Sequence, residues 1–466
     1  MAPAPVAIDL LNHISEHGEA YKNGEQGSRE ALMHACNALY AELMLPAESA
    51  LLTQWAQPTH SAVLRLGMDI QLFDALSSDD GSPKTSAVIA ERTNPKAEHS
   101  LVARMLRHLT AMNTVIEVAQ HTYAPTPFAR AMIQEHFQDS EYRPTAIFSL
   151  SQILLVSSAA SAYRTFARLG ELETPAMSSV SRLTVSFIQD DFQIANLKAP
   201  DFFKENNYQA PKSSVDAPFQ YVYDCKGTHL FEYFGQHAPM MGKRFAGMMA
   251  LWSKDRPKWF DQGYYPVRDR LIEGADSGKP FLVDVGGGSG HDLVQLEEAF
   301  GGQIKGDLVL QDRPEIVAIA EKEVRAEIKK MSHDFLTEQP VKGRTPRLRC
   351  QRTERYTDMQ IGARAYYLHS IIQDWEDETN QQILRALIPA MKRGYSKVLI
   401  NDFVMPDQGA HWMQTSLDWE LMVSLGARHR TEAEMRKMIE GTGLKVVEIF
   451  KHPQSVDSLI EVELAE

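Results

Sequence analysis

The sequence predicts an α/β chain, with a C-terminal parallel sheet and crossover helices preceded by a mainly helical N-terminal half. Three observations carry this. From about residue 276, short apolar runs alternate with helical patterns, the signature of parallel strands joined by crossovers. A glycine-rich turn, Asp284-Val285-Gly286-Gly287-Gly288-Ser289-Gly290, follows the first of these runs and opens a helical stretch, His291–Phe300. Upstream, three helical patterns are followed by a short hairpin at Val115–Ala124.

The first 60 or so residues read as helices broken by the polar stretch Lys22–Ser28. Leu32, Cys36, Leu39, Tyr40 and Leu43 fall at helical spacing and form a stripe with no local partner. It packs either within the chain or against a second subunit. Helical patterns over Ser61–Leu76, Ser86–Arg92 and Glu98–Met112, then Val115–Val118 and His121–Ala124 as a hairpin, make a winged helix of residues 61–130. Residues 131–275 are mainly helical and rich in aromatic and methionine side chains, among them Phe219, Phe231, Phe234, Phe245, Met248 and Met249. Either reading fits these: the core of a helical unit or the lining of a pocket. The expected organisation is 1–130, 131–275 and 276–466. In the last unit the expected strands are Phe281–Val285, Gly306–Gln311, Arg347–Gln351, Ala365–Leu368, Lys397–Phe403, Lys445–Lys451 and Ser458–Leu464, the last two an antiparallel pair.

Composition narrows the function. A formal net charge of -13 on 466 residues disfavours a phosphate backbone as partner, so the winged helix reads as a scaffold and no nucleic acid is expected. The three cysteines, Cys36, Cys225 and Cys350, are far apart and form no C-x-x-C pair, so neither a disulfide framework nor a metal site is expected. No signal-like start and no long apolar run occurs, which leads to the expectation of a cytoplasmic protein without a membrane span.

The glycine run lets the chain turn tightly and brings backbone close to a ligand. Alone it is weak, because dinucleotide sites share it. Its context sharpens it: Asp312 ends the next strand, where an acid can hold both ribose hydroxyls.

Together with Asp334-Phe335 and the phrase Tyr366-Tyr367-Leu368-His369-Ser370-Ile371-Ile372-Gln373-Asp374-Trp375-Glu376-Asp377-Glu378, these residues resemble the class I O-methyltransferases of plants and fungi over nearly the whole chain. The resemblance implies a Rossmann-like C-terminal domain that binds S-adenosyl-L-methionine and an N-terminal all-helical and winged-helix dimerisation domain in a homodimer. It also implies a cofactor site of Asp284, Gly286, Gly288, Gly290, Asp312, Asp334, Phe335, His369 and Trp375. Phe245-Ala246-Gly247-Met248-Met249 resembles the helix that caps the acceptor pocket, which would put Phe245, Met248 and Met249 against substrate.

The departures matter most. The family shows a phrase like H-D-W-x-D-E, whose histidine deprotonates the acceptor hydroxyl; here Gln373 takes its place, and a primary amide has no basic nitrogen. The first acid that orients that histidine is shortened to Asp402, and His429 stands where the second acid would be. This pattern resembles a narrower group, the fungal O-methyltransferase-like pericyclases of 2-pyridone pathways, which keep the cofactor and transfer no methyl group. That resemblance implies dehydration of a 4-hydroxy-2-pyridone alcohol to a quinone methide and a hetero-Diels–Alder or Alder-ene cyclisation. Gln373, His429 and Thr337 are then candidate hydrogen-bond donors, Asp402 a proton shuttle, and Thr337 and Met413 substrate-facing positions that lean toward the hetero-Diels–Alder outcome. A working O-methyltransferase with His369 or His429 as base is the alternative expectation, and a non-catalytic scaffold a third.

Overall fold

The computed structural model describes residues 5–134, 191–242, 244–245, 256–342 and 362–465. Met248, Met249, Cys350 and the expected strand Arg347–Gln351 lie outside the described residues.

Helices Pro5–Lys22 and Ser28–Leu43 pack against each other across a polar turn in which Gly24 and Gly27 take positive φ, +72° and +81°. Val6, Leu11, Tyr21, Met33, Tyr40 and Leu43 remain exposed along this pair. In the winged unit the single helix expected over Ser61–Leu76 is two, Gln57–Asp69 and Leu72–Ser77. Gln71 is left-handed there, with φ +53°, and turns the chain so that Leu72, Phe73 and Leu76 reach the core. Helices Ser86–Arg92 and His99–Ala111 follow, the latter burying Leu101, Val102, Met105, Leu106 and Leu109 at 3.6-residue spacing. The wing is a three-stranded sheet, β1 (Lys84–Thr85), β2 (Val115–Ala119) and β3 (Thr122–Pro125), in the order β1-β3-β2.

The C-terminal half holds β4 (Leu282–Val285), β5 (Leu308–Asp312), β6 (Lys329–Ser332), β7 (Ala365–His369), β8 (Lys397–Asp402), β11 (Leu444–Lys451) and β12 (Ser458–Leu464), with β9 (Val404–Met405) and β10 (Arg430–Thr431) as a small parallel pair. The seven-stranded order is β11-β12-β8-β7-β4-β5-β6, and β12 runs antiparallel to both its neighbours. Strands β4, β7 and β8 are buried on both faces, as strands covered by helices on each side must be. The sequence reading missed β6. It is an edge strand, Lys329-Lys330-Met331-Ser332, mostly exposed, and so lacks the apolar run that marks its neighbours.

Helix Trp412–Leu425 joins the two halves. Trp419, Met422 and Val423 enter the winged-unit core beside Leu66, Leu106 and Phe203, and the Phe203 and Trp419 rings lie 5.9 Å apart. Arg104 locks this contact. Its Nε and Nη2 donate to the Asp418 carboxylate at 2.8 and 3.0 Å, and Nη2 also donates to the Asp418 and Ala427 carbonyls. Burial by itself would raise the Asp418 pKa, but the Arg104 guanidinium holds it down at about 2. Arg104→Ala would strand a buried carboxylate, at a cost of about 3–5 kcal/mol in denaturant unfolding. Because the folded pKa is depressed, the pair's contribution is complete above the ordinary Asp range and lost as pH falls through about 2. The acid limb of the wild-type stability curve is therefore expected to flatten in Arg104→Ala.

Candidate active site

The strand ends of β4, β5 and β7 meet at a single large cavity of about 1530 Å³, lined by residues from both halves of the chain. That exceeds the ~300–1,000 Å³ of an ordinary one-ligand pocket, so there is room for a cofactor and a second molecule together.

The cofactor end is built on the glycine turn. Gly286, Gly288 and Gly290 all take positive φ, +78°, +57° and +75°. A Cβ on Gly286 would come within 2.6 Å of Ile371 Cδ1, so the turn is a cradle that side chains would fill. Asp312 is anchored from two sides, accepting from the Gly288 N–H at 2.8 Å and the Arg313 N–H at 2.7 Å. Burial raises its proton affinity and those two N–H groups oppose the rise. Asp284 is fully buried with neither carboxylate oxygen hydrogen-bonded. Burial, then the neighbouring Asp292, push its pKa well up. An orphaned buried carboxyl beside a backbone cradle suits a ligand that brings positive charge and donors, as S-adenosylmethionine does.

His369, at the end of β7, holds its Nδ1 2.6 Å from Asp292 Oδ2, which also accepts from the Tyr367 hydroxyl at 2.9 Å. Burial works against a charged imidazole, but Asp292 outweighs it and raises the His369 pKa to about 9. His291, Asp292 and His369 bring possible metal ligands within 4.8 Å of one another, yet a protonated His369 already serves as the cation of this cluster. Trp375, Phe335 and Asp334 line the same end. Trp375 stacks on His229 at 4.6 Å and meets Phe335 edge-on at 6.0 Å.

At the acceptor end Gln373 sits on a one-turn helix, Ile372–Asp374, just beyond β7. Its Oε1 lies 3.1 Å from His429 Nε2. Burial lowers the His429 pKa to about 4, so the ring is neutral and donates its Nε2–H to the amide oxygen. The His429 ring packs on Phe403 at 5.0 Å, and its backbone N–H donates to Asp418 at 2.8 Å. Gln373 and Phe245 line the cavity, whereas His429, bonded to Gln373, does not.

Three expected site residues lie elsewhere. Asp402, in β8, is fully buried behind the cavity wall with neither oxygen hydrogen-bonded, and burial raises its pKa to about 7. Shortened by a methylene and tucked into the sheet, it makes no bond to Gln373 or His429. Thr337 is exposed and donates its hydroxyl to the Asp334 carbonyl at 2.7 Å, closing a turn. Met413 is buried near Phe403, its Sδ accepting from Arg256 Nη2 at 2.7 Å. None of the three lines the cavity.

Two residues on its wall were not anticipated. His229 accepts the Phe231 N–H on Nδ1, which fixes its proton on a buried Nε2 without a partner. Glu420 projects from helix Trp412–Leu425 as a buried acid. Glu420 gave no local signal, because its helix carries other polar residues, Asp418 among them. His229 had none, lying 146 residues upstream of its stacking partner Trp375.

This fold and site define a class I S-adenosylmethionine-binding enzyme. A profile for the O-methyltransferase domain matches residues 267–445, and one for the O-methyltransferase dimerisation domain matches residues 58–135. The chain is 31% identical to the O-methyltransferase mpaG of Penicillium brevicompactum over 467 aligned positions, covering 100% of both chains. Among solved structures it resembles one titled a pericyclic reaction enzyme, at 21% identity, TM-score 0.53 and 97% coverage of both chains. It also resembles LepI in complex with SAM, at 21% identity, TM-score 0.55, and coverage of 98% of this chain and 99% of that one. The chain belongs to the O-methyltransferase family and is an S-adenosyl-L-methionine-binding enzyme of it. Among the described residues, no helix is long and apolar enough to cross a membrane.

Proposed function

We propose that this protein is a non-methylating member of its family, a homodimer that dehydrates a 4-hydroxy-2-pyridone alcohol and directs the cyclisation of the resulting quinone methide by a hetero-Diels–Alder route. The observation that carries the reading is the Gln373–His429 pair. The position of the family's base is an amide, and its neighbour is a neutral imidazole whose Nε2 proton is committed to that amide. The amide has no basic nitrogen, and an imidazole with its pKa lowered to about 4 is a weak base toward a phenol.

A pericyclic step needs no nucleophile. It needs a held conformer and donors aimed at a carbonyl oxygen whose negative charge grows. With Gln373 Oε1 bonded by His429, the Gln373 amino group is the donor left for substrate. The aromatic wall, Phe231, Phe234, Phe245 and Trp55 among it, supplies shape and excludes water. Bound S-adenosylmethionine supplies a fixed sulfonium charge. Exposed apolar residues on the first two helices and the dimerisation-domain match support the homodimer.

A second reading, an active O-methyltransferase acting on a phenolic or hydroxypyridone acceptor, is favoured by the full-length likeness to mpaG. Purified protein given S-adenosylmethionine and the pyridone alcohol separates the two. The expected product has lost one water and gained a ring, with no S-adenosylhomocysteine; a methylated product with stoichiometric S-adenosylhomocysteine would overturn the proposal.

A further inference from the structure

We propose that Glu420 is the proton donor of this cavity, a neutral carboxylic acid anchored through Oε1 that offers its Oε2–H to the departing hydroxyl of the substrate. The inference rests on the dehydration reading above and supplies the acid that Asp402, off the cavity wall, does not.

The hydrogen bonds leave Oε2 as the oxygen that would carry the proton. Glu420 Oε1 accepts from the Thr59 hydroxyl at 3.1 Å and from the Asn196 amide nitrogen. The orientation of Asn196 is fixed, because its Oδ1 accepts from the Trp419 indole at 3.1 Å. Two donors on one oxygen are what a carbonyl with two lone pairs accommodates. Oε2 is buried and makes no hydrogen bond of ordinary geometry, although the Trp55 indole acts on the same carboxyl, so an O–H there is open to a substrate acceptor. Glu420 is 3% exposed and lines the cavity, as do Asn196, Gln54, Trp55 and Ser424 around it.

Among the described residues no charge competes for that proton. Burial raises the Glu420 pKa to about 7, and only hydrogen bonding by Asn196, Thr59 and Trp55 opposes it. The titratable groups on the packed helices are engaged otherwise. His60 and His108 are held neutral by burial, Arg65 pairs with Asp201, and Lys198 pairs with Asp201 too. Arg65 and Lys204 act on Asp69, Tyr221 bonds Glu205, and Arg104 pairs with Asp418 on the helix of Glu420 itself. From the segment of Gln373, Asp374 is pushed toward its neutral form by burial and then by Asp402. A carboxylic acid kept neutral near pH 7 by an apolar site can both donate a hydrogen bond and pass a proton.

The step balances without a co-reactant. The Oε2–H bond breaks and its proton joins the hydroxyl oxygen of the substrate alcohol; the C–O bond breaks, and water leaves. The ring 4-hydroxyl of the pyridone loses its proton to the Glu420 carboxylate, which restores the acid. The net change is one substrate to one quinone methide and one water.

The test is Glu420→Gln in the full-length protein, because glutamine keeps the carbonyl that Thr59 and Asn196 bond but cannot titrate. With S-adenosylmethionine and the pyridone alcohol, dehydration is expected to fall about 10²-fold, within the range for lost general acid catalysis. Cofactor affinity should be unchanged. The wild-type rate should be full below pH about 7 and decline above it as the acid ionises, and the variant should lack that titration. A variant with the wild-type rate and pH profile overturns the proposal. Infrared difference spectra give a readout independent of the product. A titrating protonated-carboxyl component present in the wild type and lost in Glu420→Gln supports the neutral acid, and spectra with no component lost overturn it, since Asp402 contributes to both. Should the wild type form methylated product, the dehydration reading falls, while the infrared comparison still decides whether Glu420 carries the proton.

Discussion

Methyl transfer is expected to appear in the double variant Gln373→His/His429→Glu, with S-adenosylhomocysteine released at a rate on the order of 10²-fold above that of Gln373→His alone. The single variant would place one neutral imidazole against another. His429 is held near pKa 4 by burial, so it offers neither charge nor useful basicity to a new neighbour 3.1 Å from its Nε2. A glutamate at 429 would accept the Nδ1–H or Nε2–H of the new histidine, fix its tautomer and raise its basicity. The same double variant should lose dehydration and cyclisation, because the amide donor of Gln373 is gone. Product mass and S-adenosylhomocysteine are measured together. A double variant that still dehydrates at the wild-type rate and releases no S-adenosylhomocysteine would sink the view that this pocket was converted at its base.

Asp312→Ala is expected to weaken S-adenosylmethionine binding by about 10²–10⁴-fold in calorimetry, and the loss has two sources. A carboxylate that takes both ribose hydroxyls makes two charge-assisted bonds of about 1.5–3 kcal/mol each. The same carboxylate ties down the Gly288 and Arg313 N–H groups, so its removal also loosens the glycine turn. Asp312→Asn separates the two, since its amide oxygen can keep one N–H bond while the charge is lost. An affinity unchanged in Asp312→Ala would place the ribose elsewhere.

Much of this was legible in the sequence, for identifiable reasons. The glycine turn and Asp312 are adjacent to strand ends, where sequence order and spatial order coincide. The wing, the helix His99–Ala111 and the strands β7, β8, β11 and β12 announce themselves through periodicity. What escaped was set by tertiary context. Strand β6 is polar because it is an edge, and the break at Gln71 depends on a backbone conformation that no local pattern marks. Asp402 and His429 occupy the places of two partner acids, yet only His429 meets Gln373, because one side chain faces into the sheet and the other toward the cavity wall. Glu420 and His229 come from elements that reach the cavity only through packing between the two halves.

Helix Trp412–Leu425 has a consequence for how such an enzyme diversifies. One face of it is the interior of the winged unit and another borders the cavity, so residues one or two apart answer to different selective demands. A lineage cannot reshape the substrate side at Leu417, Glu420 or Leu421 without testing the fit of Trp419 and Met422. New substrate preference in this architecture should therefore be accompanied by compensating exchanges far away, in the helices around Leu66, Leu106 and Phe203. An engineer who randomises the pocket while freezing the N-terminal half would be searching only part of the accessible space.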